Sequence, residues 1–303
     1  MMPGAEPTIP ALPDLADFLG EVQGLMAGCI ADTSLAFLAT DCRNVFAGGK
    51  MLRSRLAWHL RHLPGNDRAT LAHAAAAVEL IHSASILHDD VIDGGLVRRG
   101  LPTFWKERGV AGAILLGDLL LFKGIDLICR VEDGRLTHEL VKLTGEVCEA
   151  ESEQELILHG QPSRLETCLR IARRKTGALF AFVAFAGGGR DPSLQGKLKE
   201  CGYQLGTAYQ LADDLLDASG DEQVAGKTLR TDLRRDIVSA AAVPSGAPES
   251  PLAYIERTAA RCGDLLAAHP EAAQAIRSYV DADLAPALRQ LLAACRPADA
   301  VSS

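Results

Sequence analysis

Two stretches hold residue types and spacings that could do chemistry: LHDDVID, Leu87 to Asp93, and YQLADDLLD, Tyr209 to Asp217. In each, two adjacent aspartates are followed by a third on the next helical turn, inside an otherwise apolar run. Residues four apart share a helix face. Asp89 and Asp93 therefore point one way with Asp90 on their flank, and Asp213, Asp214 and Asp217 repeat the arrangement. Six carboxylates at such positions repel one another and resist desolvation unless cations lie between them. Oxygen-only ligands of this kind suit Mg²⁺, which keeps several waters and shares its shell with substrate phosphates. Two such helices face to face would bracket a diphosphate through bridging metal ions. One triplet alone could be an acidic helix end in water; two copies, each after apolar helix, argue against that.

The basic residues complete the constellation. Gly48-Gly49-Lys50-x-x-Arg53 sets two cations at a helix start, where anions are already favoured. Arg98 and Arg99 follow the first triplet, Lys175-Thr176 lies inside an apolar helix, and Gly226-Lys227 sits just past the second triplet. Each alone fits a solvated face; together they read as a phosphate clamp. His82 stands seven residues before Asp89 on roughly the same face, whereas His88 is read as structural. No Ser/His/Asp or Cys/His nucleophile set suggests another route.

The elements that must position these residues read as helices. The chain has 303 residues, 48% of them hydrophobic, so a sizeable core is available. A net charge of −8 and a pI near 5.5 argue against a general nucleic-acid binder. Cys29, Cys42, Cys129, Cys148, Cys168, Cys201, Cys262 and Cys295 form no CxxC pair, so zinc spacing is absent; most read as small buried hydrophobes in a reducing cytosol. There is no secretory signal and no uninterrupted apolar stretch of the ~20 residues a membrane span needs. The expectation is a soluble, cytoplasmic protein.

Apolar periodicity predicts helices from about Pro13, over Thr33 to Phe46, from Lys50 to Leu63, and over Ala69 to Asp93. The last is apolar on nearly all sides and therefore central. Further helices follow over Gly109 to Val131, Leu136 to Leu158, Leu165 to Gly187 and Leu194 to Ala218, with two more before Cys295. Val97 to Pro102 reads as a loop, residues 1–12 as loose, and residues 244–251 as a linker before the terminal helices. Neither period-two alternation nor an internal repeat stands out. The fold class is an all-α bundle in a single domain.

The segments GGKMLR, ELIHSASILHDDVID with GGLVRRG, GDLLL, RRKTGALF, and LGTAYQLADDLLD with GKTLRTDL resemble, in order and spacing, the trans-polyprenyl diphosphate synthases. The resemblance runs from about Val45 to Leu233. It implies the isoprenoid-synthase helical bundle around a deep central apolar cavity, in a homodimer. It also implies an enzyme that condenses isopentenyl diphosphate with an allylic diphosphate after Mg²⁺-assisted ionisation, with three ions per site when substrate is bound. By position, Asp89, Asp90, Asp93, Asp213, Asp214 and Asp217 correspond to the metal ligands. Arg98, Lys175 and Lys227 correspond to contacts to the allylic diphosphate. Lys50, Arg53, His82 and Arg99 correspond to the isopentenyl diphosphate site. Thr176 and Gln210 fall where the family places a hydroxyl and an amide near the developing carbocation.

In this family a bulky aromatic four or five residues upstream of the first triplet keeps products short. Those positions here are Ala84 and Ser85, so the tunnel is expected to run on toward Leu119, Leu120, Phe122 and Lys123, and the product to exceed farnesyl. Three departures stand out. Met51 and Ser54 replace the usual Arg and Pro, with Arg55 offered as compensation. The stretch EAESEQELIL lacks the usual Gly-Glu pair followed by Gln. RRDIVSAAAVP stands where the family has a lid lysine, so Arg234 or Arg235 would have to substitute. A class I terpene cyclase-like enzyme and a non-catalytic subunit of a heteromeric synthase are the alternatives. A di-iron bundle would need Glu-x-x-His pairs that the acidic motifs lack.

Overall fold

The computed structural model describes residues 13–38, 49–162, 164–220, 228–229, 237–239 and 251–294. Within them the chain runs through α1 (Pro13–Ala31), α2 (Leu52–Leu60) and α3 (Arg68–Ile92), then a minimal hairpin of β1 (Val97–Arg98) and β2 (Leu101–Pro102). Next come α4 (Phe104–Cys129), α5 (Gly134–Leu156), α6 (Leu165–Ala172), a π-helical turn at Arg173–Gly177, and α7 (Ala178–Ala186). Finally α8 (Pro192–Ser219), α9 (Pro251–Leu265) and α10 (Pro270–Tyr279) lead through a second π turn, Val280–Leu284, to α11 (Ala285–Ala293). The fold is all-α, as the periodicity predicts.

The apolar helix α3 is the axis. Its N-cap is Asp67, whose side chain accepts from the Thr70 N–H at 2.8 Å, satisfying a first-turn donor. Ala72, the run Ala74 to Ala77, and Val78 are fully buried; alanines keep helix propensity while letting neighbours approach closely. By length and a mean hydropathy of 1.3, α3 could cross a membrane, yet 72% of that stretch is buried inside the protein. It ends at Asp93, where Gly94 takes a positive φ of 65°.

A second close contact joins α7 and its preceding π turn to α8. A Cβ at Gly206 would lie 2.7 Å from the Gly177 Cα, and one at Gly202 would lie 2.6 Å from the Phe180 carbonyl oxygen. Any larger residue would push the two backbones apart. This contact sets the middle of one acidic helix against the Lys175-Thr176 segment.

Periodicity misplaces several boundaries. Residues 32–37 are a succession of turns, with Ala36 N–H bonded to Thr33 O at 3.1 Å, so no helix begins at Thr33; residues 39–48 lie outside the described ones. Helix α4 is interrupted at Gly109 (φ 80°, ψ 163°). The helix predicted over Leu165 to Gly187 contains a π turn that widens it by one residue per turn. The region read as a loop pairs Val97 with Pro102 and Arg98 with Leu101. Residues 1–12 and nearly all of the linker candidate lie outside the described residues. Cys29, Cys168, Cys201 and Cys262 are buried as expected, whereas Cys129 and Cys148 are exposed.

Candidate functional site

Both acidic triplets line one cavity of about 360 Å³, together with Lys50, Arg53, His82, Arg98, Arg99, Lys175, Thr176 and Gln210. Its lining is more polar than apolar. An apolar wall is formed on one side by Val147, Ile171, Leu179 and Phe180.

The first triplet sits where α3 stops. The Asp93 N–H donates to the Asp89 carbonyl at 2.7 Å, and the Gly95 N–H donates to the Asp90 carbonyl at 3.0 Å. The Asp90 carboxylate is buried and held by Arg98, whose Nε and Nη2 donate to Oδ1 at 2.9 and 2.8 Å. Burial pushes the Asp90 carboxyl up, and the Arg98 guanidinium opposes that. The expected metal ligand Asp90 is thus engaged by a cation of the chain itself, while Asp89 and Asp93 stay half-buried at the cavity wall.

In the second triplet, Asp214 is bonded by a neutral side chain. Gln210 Nε2 donates to Asp214 Oδ1 at 2.7 Å, one turn along α8. The Thr176 hydroxyl, carried on the π turn, donates to Gln210 Oε1. The two residues expected near a carbocation therefore form a single relay that ends on an acidic residue.

Cations line the same cavity. Burial and the guanidinium groups of Arg53, Arg99 and Arg98 hold the His82 imidazole well below its ordinary range, so it is neutral at pH 7. Three arginines acting on one imidazole make this corner of the cavity strongly positive. Two of the bearing segments have strained backbones: Met51 has φ 47° and Arg99 φ 54°, an unfavourable region for non-glycine residues that clusters at functional sites. Gly49 lies close under the Arg99 guanidinium: a Cβ there would be 3.1 Å from Arg99 Nη2.

Some predicted site residues fall elsewhere. Ala84 is packed into the core rather than lining the cavity, one residue of rotation away from Ser85, which does line it. The cavity is not lined by Leu119, Leu120, Phe122 or Lys123. Helices α3 and α4 close that space where a Cβ on Gly124 would lie 2.8 Å from the Ala77 carbonyl; Leu120 is buried and Phe122 is 67% exposed. Arg55 does not replace the lost opening arginine: its Nη1 donates to Asp283 Oδ1 at 2.7 Å and its Nε to the Lys50 carbonyl at 3.0 Å. Lys227, Arg234 and Arg235 lie outside the described residues. Beside Lys227, the Thr228 hydroxyl accepts from Leu96 N–H and Val97 N–H at 3.1 Å each, tying that segment to the hairpin of Arg98.

The cavity also holds residues that the sequence reading missed. Lys175 Nζ pairs with Glu151 Oε2 at 2.8 Å, and Gln154 lies one turn further along α5. The Glu and Gln thought absent from EAESEQELIL are therefore present, with Ala150 in place of the glycine. Their three-residue spacing on one helix face was the available signal. Burial raises the Glu151 carboxyl to about 7; Lys175 opposes this, while Asp89 and Asp93 add to it. Glu79, Phe180 and Tyr209 complete the lining beneath Arg53.

The fold and the cavity define an all-helical protein in which two acidic triplets and a group of cations line one cavity. The chain belongs to the polyprenyl synthetase family, whose model matches residues 36–281. It is 36% identical over 197 residues to a short chain isoprenyl diphosphate synthase of Methanocaldococcus jannaschii, covering 63% of this chain and 60% of that protein. It is 35% identical over 191 residues to heptaprenyl diphosphate synthase component 2 of Geobacillus stearothermophilus, covering 62% of this chain and 59% of that one. The matched stretch thus spans about three fifths of the length of these curated relatives. A polyprenyl synthase from Caulobacter crescentus CB15, solved in complex with calcium and isoprenyl diphosphate, superposes with a TM-score of 0.69 at 27% identity, covering 97% of this chain and 95% of that one.

Proposed function

We propose that the protein is a trans-prenyltransferase that condenses isopentenyl diphosphate head-to-tail with an allylic diphosphate. The observation that carries this is the pairing, in one cavity, of two carboxylate rows with a separate cluster of Lys50, Arg53, His82 and Arg99. A cyclase acting on one diphosphate would have no use for that second cluster.

Asp89, Asp93, Asp213, Asp214 and Asp217 would hold divalent cations, with Asp90 oriented by Arg98. Among the described residues no three such side chains form a ready metal cage, so a bound Mg²⁺ would complete its shell with waters and substrate phosphates. When bound, three Mg²⁺ ions would neutralise charge developing on the departing diphosphate. Arg98, Lys175 and Lys227 would grip the allylic diphosphate, and Lys50, Arg53, His82 and Arg99 the isopentenyl diphosphate. The Thr176–Gln210 relay would turn its oxygens toward the developing cation, and Phe180, Leu179 and Ile171 would exclude water from it. Because Ala84 and Ser85 are small, the product would be longer than farnesyl diphosphate, although the cavity itself does not reach Leu119 or Leu120. All core-forming helices share one hydrophobic cluster, which supports a single domain. Exposed Val110, Ile114, Leu115 and Phe122 on α4 support a homodimer through that helix.

The test is incubation with Mg²⁺, isopentenyl diphosphate and each of dimethylallyl, geranyl, farnesyl and geranylgeranyl diphosphate, with products identified by mass. Elongation of any primer is expected, and its mass reads the chain length. No turnover with any primer would favour a second reading, a non-catalytic subunit of a heteromeric synthase, which the likeness to a heptaprenyl synthase component supports. Sizing by light scattering distinguishes a dimer of the 32.2 kDa chain from a monomer awaiting a partner.

A further inference from the structure

Arg53 is the most enclosed of the cavity's cations. It is 7% exposed, its guanidinium lies 4.9 Å from the centroid of Phe180, and its Nε has no hydrogen-bond partner among the described residues. A buried guanidinium normally acquires a carboxylate, because an unpaired charge in that setting is costly. The carboxylate to hand is Glu79, also 7% exposed and lining the same cavity. Burial lowers the Arg53 pKa, and Glu79 is the chief opposing influence.

Glu79 is nevertheless committed elsewhere. Its Oε1 accepts from the Ser54 hydroxyl at 3.0 Å and from the Ser54 N–H at 3.4 Å. Ser54 occupies the third position of α2, where the backbone N–H has no acceptor within its own helix. The N-cap, Met51, makes no side-chain capping bond. Glu79 therefore caps α2 from a neighbouring helix, and the fully buried Ser54 hydroxyl supplies the second bond that fixes it. The proline expected from the family pattern at this position could make neither bond.

We propose that Ser54 is a positioning residue: by tethering the Glu79 carboxylate to the start of α2, it prevents a closed Arg53–Glu79 ion pair and leaves the Arg53 guanidinium to a phosphate group entering the cavity. Released, Glu79 would pair with Arg53 through two parallel hydrogen bonds and cancel the charge that the ligand needs. Tyr209, Tyr279 and His82 are the other titratable groups at Arg53, and none is an anion at neutral pH. Identifying that phosphate as the isopentenyl diphosphate head group rests on the function proposed above.

Calorimetry without divalent cation tests the two ideas separately. Inorganic pyrophosphate reads whether Arg53 is available; isopentenyl diphosphate reads the prenyl assignment. Wild type is expected to bind both, Ser54→Ala to bind each about tenfold more weakly, and Ser54→Ala/Glu79→Gln to return to within threefold of wild type, because an amide cannot form the ion pair. In turnover, Ser54→Ala should raise KM for isopentenyl diphosphate with kcat within threefold. Pyrophosphate affinity unchanged in Ser54→Ala, or a double variant as weak as the single one, overturns the positioning role. Absent isopentenyl diphosphate binding with the pyrophosphate pattern intact overturns the prenyl assignment and leaves the positioning role standing. Should Ser54→Ala fail to fold by circular dichroism, Glu79→Gln alone carries the test: it must bind pyrophosphate at least as tightly as wild type.

Discussion

The two acidic triplets have the same spacing and are held by opposite means. On α3 the aspartates close a helix: Asp93 is its C-cap, Gly94 turns the chain, and the hairpin swings Arg98 back onto buried Asp90. On α8 the aspartates lie within a helix that continues to Ser219, and Asp214 is steadied by Gln210 and, through it, Thr176. Among the described residues, Asp90 of the first row is held by a full opposite charge from the hairpin, and Asp214 of the second by a neutral amide and, through it, a hydroxyl. A charge-held row changes its balance when a cation arrives, because Arg98 and the cation compete for the same oxygens. A carboxylate held by an amide has no such cationic competitor in that bond. The α3 triplet is thus expected to adapt when a cation arrives, with the α8 triplet as its reference.

The largest effects should come from the carboxylates themselves. Asp89→Ala and Asp213→Ala are each expected to lower kcat of the proposed condensation by about 10³-fold, with melting temperatures within a few degrees of wild type because both residues are only half-buried. Steady-state rates across a Mg²⁺ titration check this. If saturating Mg²⁺ restores Asp89→Ala but not Asp213→Ala, the adaptable wall is confirmed as the less exacting of the two. Loss of fold in either variant would instead make that aspartate structural.

Arg98→Ala comes next. It leaves Asp90 buried without its cation, so a stability loss of about 2–3 kcal/mol is expected alongside a rate loss of about 10²-fold. Urea unfolding of the cation-free protein, with and without Mg²⁺, reads it. Mg²⁺ should recover part of the lost stability by standing in for the guanidinium. Gln210→Ala removes only a neutral bond and should cost about tenfold in rate and roughly 1 kcal/mol, with no recovery by Mg²⁺. Equal rescue of both variants would erase the distinction between the walls.

What the sequence made legible, and what it did not, follows the same physics. Helix α3 and both triplets were readable because carboxylates rarely interrupt an all-round apolar helix. The cationic corner was readable from two glycines ahead of Lys50. The π turn at Arg173–Gly177 was not, since one extra residue inside RRKTGALF leaves the apolar pattern almost unchanged. Arg55 looked like a substitute cation because its partner, Asp283, lies 228 residues away, and only the fold brings them together. Ala84 and Ser85 are adjacent in sequence yet point about 100° apart on a helix, so a positional rule could not choose between core and cavity. Glu151 hid among Glu149, Glu153 and Glu155, a pattern that reads as a solvated face; Glu149 and Glu153 indeed pair with Arg174.

Glu151 gives the finest test of the contrast between the walls, because it lies within the field of one triplet. In the fold its carboxyl is raised to about 7 from an ordinary 4.5, by burial first and by Asp89 and Asp93 as well. A carboxyl raised on folding favours the folded state fully below pH 4.5, and that contribution is lost as pH rises through about 7. In cation-free protein, Glu151→Gln should therefore melt like wild type near pH 4.5 and about 2–4 °C higher at pH 8. His82, whose depressed pKa acts in the opposite direction, is common to both proteins and cancels in the difference. Identical melting at both pH values would mean that the ion pair with Lys175 outweighs burial and that Glu151 is ionised throughout. Repeating the pair in an Asp89→Asn background should shrink the pH 8 difference, since one of the charges that raises Glu151 is gone. In an Asp213→Asn background it should stay, because α8 presents its acids to the other side of the cavity.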